Sequence, residues 1–204
     1  MQSNNRYFCK MVSIENISRK EQVIRTAAEL FKQKGYVATS MRDLAQALGI
    51  EAASLYSHIK SKEEILQSLC FEMAELFRES LTGVEKQDIS YSEKLRKGIL
   101  GHIEVMAKDL TASAVFMNEH RHLSHPHLKR FLLLRINYIN RFKNIIEGGI
   151  AAGEFQKLDT KLAVMTLFSS LNWMPNWYDP SGIIDPIELG NQLADMLIEG
   201  LKTK

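Results

Sequence analysis

The sequence predicts an all-α protein in which a small three-helix domain of the helix-turn-helix type precedes a larger helical domain. Apolar residues recur at helical spacing along almost the whole chain after residue 17, without strand-like alternation. Near the start, two short helical runs meet at a tight glycine turn, which is typical of a helix-turn-helix. We divide the 204 residues into an N-terminal arm (1–17), expected to be flexible, a helix-turn-helix domain (18–65) and a larger helical domain (66–204).

The composition is that of an ordinary soluble globular protein, with 45% hydrophobic and 25% charged residues. Residues 1–65 carry ten Lys or Arg against seven Asp or Glu, a small basic excess that weakly favours a polyanionic partner. Cys9 and Cys70 lie far apart, so no disulfide framework is indicated. No signal peptide is visible, and no apolar stretch reaches the roughly 18 residues of a membrane span. We therefore expect a cytoplasmic protein with no membrane partner.

Two capping patterns mark the first helix starts. Ser18 with Glu21, and Ser40 with Asp43, have the spacing at which two side chains satisfy each other's free backbone N–H groups. Gly35 can end the first helix after basic residues in its last turn. The predicted helices are 18–34, a run of about two turns from Ser40 to Gly49, 51–57, a long helix from Ser61 to about residue 81, 90–108, 111–121, 126–151, 158–174 and 185–202.

Three residues carry the helix-turn-helix prediction. Ala45 is small enough to let two helices approach, and Gly49 can adopt the turn conformation at no steric cost. Leu55 can anchor the third helix on the core. The outward face of that helix then presents short side chains, which suit close approach to base edges. The alternative that spacing alone leaves open is a plain helical hairpin.

Residues 18–66 resemble the N-terminal domain of the TetR (tetracycline repressor) family without a gap. The matching segments are Ile24–Phe31, Gly35–Tyr36, Thr39–Ala45, Leu48–Ile50, Ser54–Tyr56, His58 and Lys60–Leu66. Two positions depart from the family pattern: Ile59 stands where Phe is more frequent, and Ala53 where Gly or Pro is frequent. The change at Ile59 is conservative, and the change at Ala53 can alter DNA recognition without altering the fold.

The resemblance implies a double-stranded DNA operator as partner and assigns roles to individual residues. The proposed phosphate contacts are Thr39, Ser40, Arg42 and Lys62, and the residues facing bases are Ala52, Ala53, Ser54 and Ser57. Tyr56 and His58 would contact phosphate or an adjacent base. Hydroxyl and cationic groups are the usual phosphate ligands. The alternative for Tyr56 is a core position, and Lys60 is expected to be a solvated side chain without a DNA contact.

The same resemblance implies that residues 66–204 bind a small molecule and form a homodimer through the last two helices, 158–174 and 185–202. The alternative is that their apolar stripes are core within one chain. The segments Asn118–Leu123 and Leu171–Gly182 look like a subgroup that answers to acyl-CoA thioesters. Candidate effector contacts are Met106, Phe116, Met117, Arg121, Arg141, Met165, Phe168, Asn172, Trp173 and Trp177, with Arg135 as a further possible phosphate partner.

The sequence thus predicts a ligand-responsive DNA-binding regulator, a repressor released by a small lipophilic effector such as an acyl-CoA. One alternative is a multidrug- or lipophile-sensing repressor of an efflux gene. A remote alternative is a metal-binding helical enzyme that uses His120, His122, His125 and His127. Their spacing is poor for a metal, and neither a nucleophile–base pattern nor a cofactor motif is evident. We therefore predict no catalytic residues, no metal and no cofactor.

Overall fold

The computed structural model describes residues 17–203, so the predicted arm lies outside the described residues except for Ile17. The helices within this range are α1 (Arg19–Lys34), α2 (Met41–Ala47), α3 (Ala52–Tyr56), α4 (Lys62–Ser80), α5 (Tyr91–Lys108), α6 (Leu110–Asn118), α7 (His125–Ala151), α8 (Thr160–Asn172) and α9 (Pro186–Glu199). Short 3₁₀ turns occupy Val84–Lys86, His120–His122 and Met174–Asn176. The extended pairing in residues 17–203 is a single bridge between Phe155 and Lys202. The all-α prediction is confirmed.

The start and end of α1 follow the predicted local signals, with one difference. The Ser18 hydroxyl accepts a hydrogen bond from the Glu21 N–H at 3.2 Å. The Glu21 carboxylate does not complete the predicted capping box, because it accepts a 2.6 Å bond from Arg25 one turn later. Gly35 ends the helix with a φ of 84°, a conformation that favours glycine.

Helix α4 joins the two predicted domains. It packs against α1 on one side and against α5, α6 and α7 on the other. Its buried side chains include Ile65 and Leu66 in the first turns and Met73 and Phe77 farther along. The three-helix unit and the larger bundle therefore share this helix. The division at residue 65 stays a prediction.

The larger bundle is built around α5. This helix packs closely on α9, and a Cβ added at Gly190 would lie 2.8 Å from a methyl group of Leu100. Aromatic side chains fill the space between α4, α7 and α8, where the Phe142 and Phe168 rings meet edge to face at 5.1 Å. None of the described helices is long and apolar enough to span a membrane.

Among the predicted helices that end earlier than expected, two are followed directly by a 3₁₀ turn, and the predicted helix 185–202 ends at Glu199. The predicted helix 111–121 ends at Asn118, and the chain continues as the 3₁₀ turn His120–His122. Helix α8 ends at Asn172, and a 3₁₀ turn containing Pro175 follows, since proline cannot supply the N–H that a longer helix would need.

Candidate functional site

The turn between α2 and α3 has the geometry of a helix-turn-helix. Ser40 and Asp43 form both halves of the predicted capping box, with the Ser40 N–H donating to the Asp43 carboxylate at 2.7 Å. The same Ser40 hydroxyl and N–H hold the pKa of Asp43 below its usual value. Gly49 has a φ of 64°, as the turn requires, and Ala45 and Leu55 are buried. The three residues chosen from the sequence therefore position α3.

The outer face of α3 is open to solvent and carries small side chains. Ala53, Ser54 and Ser57 are exposed, and the Tyr56 side chain is 53% exposed. The alternative core position for Tyr56 is therefore wrong. Ala52 and His58 are half-buried at the margins of this face. The contacts of all these residues with bases or phosphate stay predictions.

Arg42 is an exposed cation on α2 and makes no hydrogen bond or ion pair with any residue in 17–203. It lies two residues after the exposed N-cap Ser40, at the same end of α2, so both can meet the same strand of DNA.

We expect Arg42→Ala to weaken operator binding by a similar factor on every DNA sequence, because a phosphate contact carries no base information. The slope of log affinity against log salt should fall by about one unit. Fluorescence anisotropy over a salt series measures both quantities. Lys129→Ala, which removes an exposed cation from α7, is the matched control. An unchanged slope for Arg42→Ala would contradict the assigned contact.

Two predicted phosphate ligands are engaged inside the protein. Thr39 is buried, and its hydroxyl donates to the Gly35 carbonyl at 2.9 Å. The Lys62 ammonium group donates to the carbonyl oxygens of Tyr36 at 2.6 Å and Thr39 at 2.7 Å. It also lies 4.3 Å from the centre of the Tyr36 ring, and burial lowers the pKa of this lysine. In the DNA-free protein these side chains hold the α1–α2 loop on α4, and their phosphate contacts stay predictions.

The larger domain contains a cavity between α4, α5, α6, α7 and α8. Its free space amounts to about 30 Å³, enough for one water molecule and too little for an acyl chain. The lining residues are Ala74, Phe77, His102, Phe116, Met117, Leu134, Arg135, Tyr138, Ile139, Phe168 and Asn172. A wider groove of about 340 Å³ adjoins it and shares Met117, Arg135 and Asn172.

Half of the predicted effector residues line this cavity or its groove: Phe116, Met117, Phe168, Asn172 and Trp173. The other five lie elsewhere. Met106 is buried outside the lining, Arg121, Met165 and Trp177 are exposed outside it, and Arg141 pairs with the Glu85 carboxylate at 2.6 Å. The site geometry does not favour these five as effector contacts.

The cavity also holds a polar group that sequence reasoning missed. His102 is fully buried, stacks on Phe77 at 4.5 Å between ring centres, and has Nδ1 3.2 Å from the Tyr138 hydroxyl. Burial lowers the pKa of His102 to about 3, and the neighbouring Asn172 side chain opposes this shift only partly. The ring is therefore neutral. A lone histidine on the apolar face of α5 was the available signal.

The histidine cluster near α7 is used in packing. The His120 ring accepts a 3.0 Å hydrogen bond from Arg135, and the His122 ring stacks on Tyr36 at 5.5 Å. His127 meets the edge of Phe71. Among residues 17–203, no group of three or more His, Cys, Asp or Glu side chains is arranged to hold a metal ion.

Two polar contacts connect the larger domain to the DNA-binding unit formed by α1, α2 and α3, which we call the reader. The Glu119 carboxylate accepts a 3.2 Å hydrogen bond from the Tyr36 N–H, and the Glu63 carboxylate accepts one from the Ser124 N–H at 3.0 Å. Glu119 adjoins His120, which Arg135 contacts. The wall of the cavity and the loop in front of α2 are therefore linked by consecutive direct contacts.

Comparison with known proteins agrees with this architecture. The chain is 26% identical over 185 residues to the fatty acid metabolism regulator protein of Bacillus subtilis, which covers 90% of this chain and 95% of that protein. The ketosteroid transcriptional regulator KstR2 of Mycobacterium tuberculosis has the same fold, with a TM-score of 0.87 at 22% identity over 93% of this chain and 98% of that one. AibR, solved with isovaleryl coenzyme A and operator DNA, gives a TM-score of 0.75 at 24% identity over 91% of this chain and 98% of that one.

Two family models match along the chain. Residues 23–69 match the model for bacterial regulatory proteins of the tetR family, and residues 88–201 match the tetracyclin repressor-like C-terminal domain. The first covers the reader helices, and the second covers more than half of the chain, including most of the cavity. The chain therefore belongs to the tetR family of bacterial regulatory proteins.

Proposed function

We propose that this protein is a ligand-responsive transcriptional repressor, a homodimer that leaves its operator when a small lipophilic effector such as an acyl-CoA binds. One observation carries the proposal. Arg135 lines both the cavity and its groove and also contacts His120, next to the residue that holds the reader loop. An effector that engages Arg135 therefore acts directly on the connection to the DNA-binding helices. Such a repressor works in the cytoplasm, where the DNA is.

The proposed homodimer rests on exposed apolar side chains of α8 and α9. Leu162 is 67% exposed and Met196 is 75% exposed, and the two line the same surface groove. Such exposure on two neighbouring helices is typical of a face that a second copy covers. Two copies are also needed because one helix-turn-helix reads too few base pairs, and the dimer sets the spacing of the half-sites.

The effector class rests on the relatives and on the lining. The Bacillus subtilis relative is named for fatty acid metabolism, and AibR was solved with an acyl-CoA. The cavity is mostly aromatic and aliphatic, which suits an acyl chain, and Arg135 at its mouth suits a thioester carbonyl or a phosphate.

The small free volume of the cavity indicates how an effector would release the operator. An acyl chain cannot enter about 30 Å³, so the effector must bind a conformation in which α6, α7 and α8 have moved apart. Movement of α7 takes Arg135 away from His120 and disturbs the Glu119 contact to Tyr36. The two readers then no longer fit both half-sites.

The test is a titration of the protein with long- and medium-chain acyl-CoA esters, with and without operator DNA. Because coupling between two binding sites is reciprocal, DNA must weaken acyl-CoA binding by the factor by which acyl-CoA weakens DNA binding. Equal affinity for the ester in both conditions would contradict the proposal for that ester.

A paired variant identifies the site of the response. We expect Arg135→Met to weaken operator binding without effector, because it breaks the same His120 contact that the effector breaks, and to lose most of the further response to acyl-CoA. Arg121→Met is the matched control, since Arg121 is exposed and lies outside the cavity and the groove. Equal loss in both variants would mean that the effector does not act through the cavity.

A further inference from the structure

Arg135 on α7 is a half-buried cation without a carboxylate partner in the part of the chain that the structure describes. Its guanidinium donates to His120 Nε2 at 3.0 Å, and no described Asp or Glu side chain forms an ion pair with it. The sequence offers none nearby on α7, since residues 120–146 include no Asp or Glu. Arg141, six residues later on the same helix, differs in this respect, because it donates to both oxygens of the Glu85 carboxylate.

The groups that surround Arg135 are neutral. An arginine can only donate, so His120 accepts through Nε2 and carries its hydrogen on Nδ1, which donates to the Phe116 carbonyl at 3.1 Å. Burial raises the pKa of the neighbouring Cys70 thiol to about 12, so this group is uncharged as well. Burial also lowers the pKa of Arg135, yet an arginine stays protonated in a protein. A water molecule can satisfy an N–H group there but cannot neutralise the charge.

Arg135 lies where an apolar cavity meets a polar groove. It lines both, and the cavity is walled mostly by aromatic and aliphatic side chains. The groove on its other side offers Asn118, Ser169 and Asn176. An anionic group at this boundary can pair with Arg135 while an apolar chain attached to it lies among apolar side chains. A carboxylate suits the position, because its two oxygens match the planar guanidinium with two parallel hydrogen bonds.

We propose that the effector meets Arg135 with a free carboxylate, so that the site takes an amphipathic carboxylic acid whose apolar chain lies in the opened cavity. The inference rests on the proposed function in that the chain of the effector occupies this cavity. In an acyl-CoA placed in the same way, the group next to Arg135 is the neutral thioester, and the CoA phosphates lie at the far end of the pantetheine arm. The thioester leaves the charge of Arg135 in place, whereas a carboxylate neutralises it.

A carboxylate at this position also explains how binding reaches the reader. A charged acceptor attracts the guanidinium more strongly than the neutral His120 ring does, because it adds the attraction between opposite charges. Arg135 then turns from His120 towards the ligand. The neighbouring Glu119 carboxylate, which accepts from the Tyr36 N–H in front of α2, loses part of its support.

The experiment compares matched ligands by isothermal titration calorimetry on the full chain without DNA. The probes are saturated carboxylic acids of medium and long chain, their methyl esters and their CoA esters, each kept below its micelle concentration. We expect the acid to bind about ten- to hundredfold more tightly than the methyl ester of the same length, because the ester lacks the charge that Arg135 pairs with. Equal affinity of acid and methyl ester at every length, a CoA ester that binds more tightly than its acid, or no binding of any acid overturns the inference.

Two variants locate the preference. Arg135→Gln can still donate a hydrogen bond but carries no charge, so acid and methyl ester should bind it with affinities within about threefold of each other. Arg121→Gln removes an exposed cation outside the cavity and the groove and should keep the full preference. A preference that survives in Arg135→Gln overturns the inference. If Arg135→Gln does not fold, as judged by circular dichroism, the wild-type ligand pairs decide.

The outcomes separate this inference from the proposed function. Operator release by a CoA ester that also binds more tightly than its acid would keep the function and contradict the inference. Binding of the acid through Arg135 without any effect on operator binding would keep the inference and contradict the ligand-responsive part of the function. Operator release by the acid at a lower concentration than by its methyl ester supports both.

Discussion

A Met196→Glu variant is expected to be monomeric and to bind the full operator about 10²–10⁴-fold more weakly than the natural protein. This range is the advantage that two linked binding modules gain over one. Met196 is 75% exposed on α9 and shares a groove with Leu162 of α8, so the described part of the chain leaves most of this apolar side chain uncovered. A two-fold axis through this face brings the two copies of the new carboxylate together and buries them in an apolar interface.

Sedimentation velocity gives the oligomeric state, and anisotropy gives the affinity for full and half operators. Affinity for a half operator should change little, because α3 lies in a different part of the molecule. Asn140→Glu adds the same charge to an exposed polar position of α7 and should remain dimeric. A Met196→Glu protein that stays dimeric and binds the full operator normally would place the dimer interface elsewhere.

Signals within a few residues of each other predicted the reader well. The capping box of Ser40 and Asp43 depends only on local backbone geometry, and it forms as expected. The same holds for the positive φ of Gly35 and Gly49. The Ser18 cap is half correct, because Glu21 has a competing partner one turn away in Arg25. Local sequence therefore determines where helices start and stop, although a neighbouring charge can redirect a capping side chain.

Contacts between distant residues could not be predicted in the same way. Met165, Phe168 and Asn172 are spaced as one apolar stripe, but Met165 is 43% exposed while the other two line the cavity. The reason is that α8 divides its surface between the cavity and the exposed groove with α9. His102 could be recognised only after α4, α7 and α8 had enclosed it.

We expect Lys62→Met to lower the free energy of unfolding by about 2 kcal/mol, because the variant loses charge-assisted hydrogen bonds in a half-buried site. The Lys62 ammonium group holds the carbonyls of Tyr36 and Thr39, at the end of the α1–α2 loop, on the first turn of α4. Methionine keeps most of the packing but cannot donate, so both carbonyls lose a partner. Operator affinity should fall as well, because this loop positions Ser40 and the start of α2.

Urea denaturation and the salt dependence of operator binding together distinguish this role from the phosphate contact that the family resemblance implies. A positioning lysine gives lower stability with an almost unchanged salt slope. A phosphate ligand gives unchanged stability with a slope lower by about one unit. Lys60→Met is the matched control: Lys60 is exposed and only two residues away, so its loss should leave stability within about 0.5 kcal/mol. Unchanged stability in Lys62→Met would favour the phosphate contact, because Nζ would then be free to leave the loop carbonyls when DNA binds.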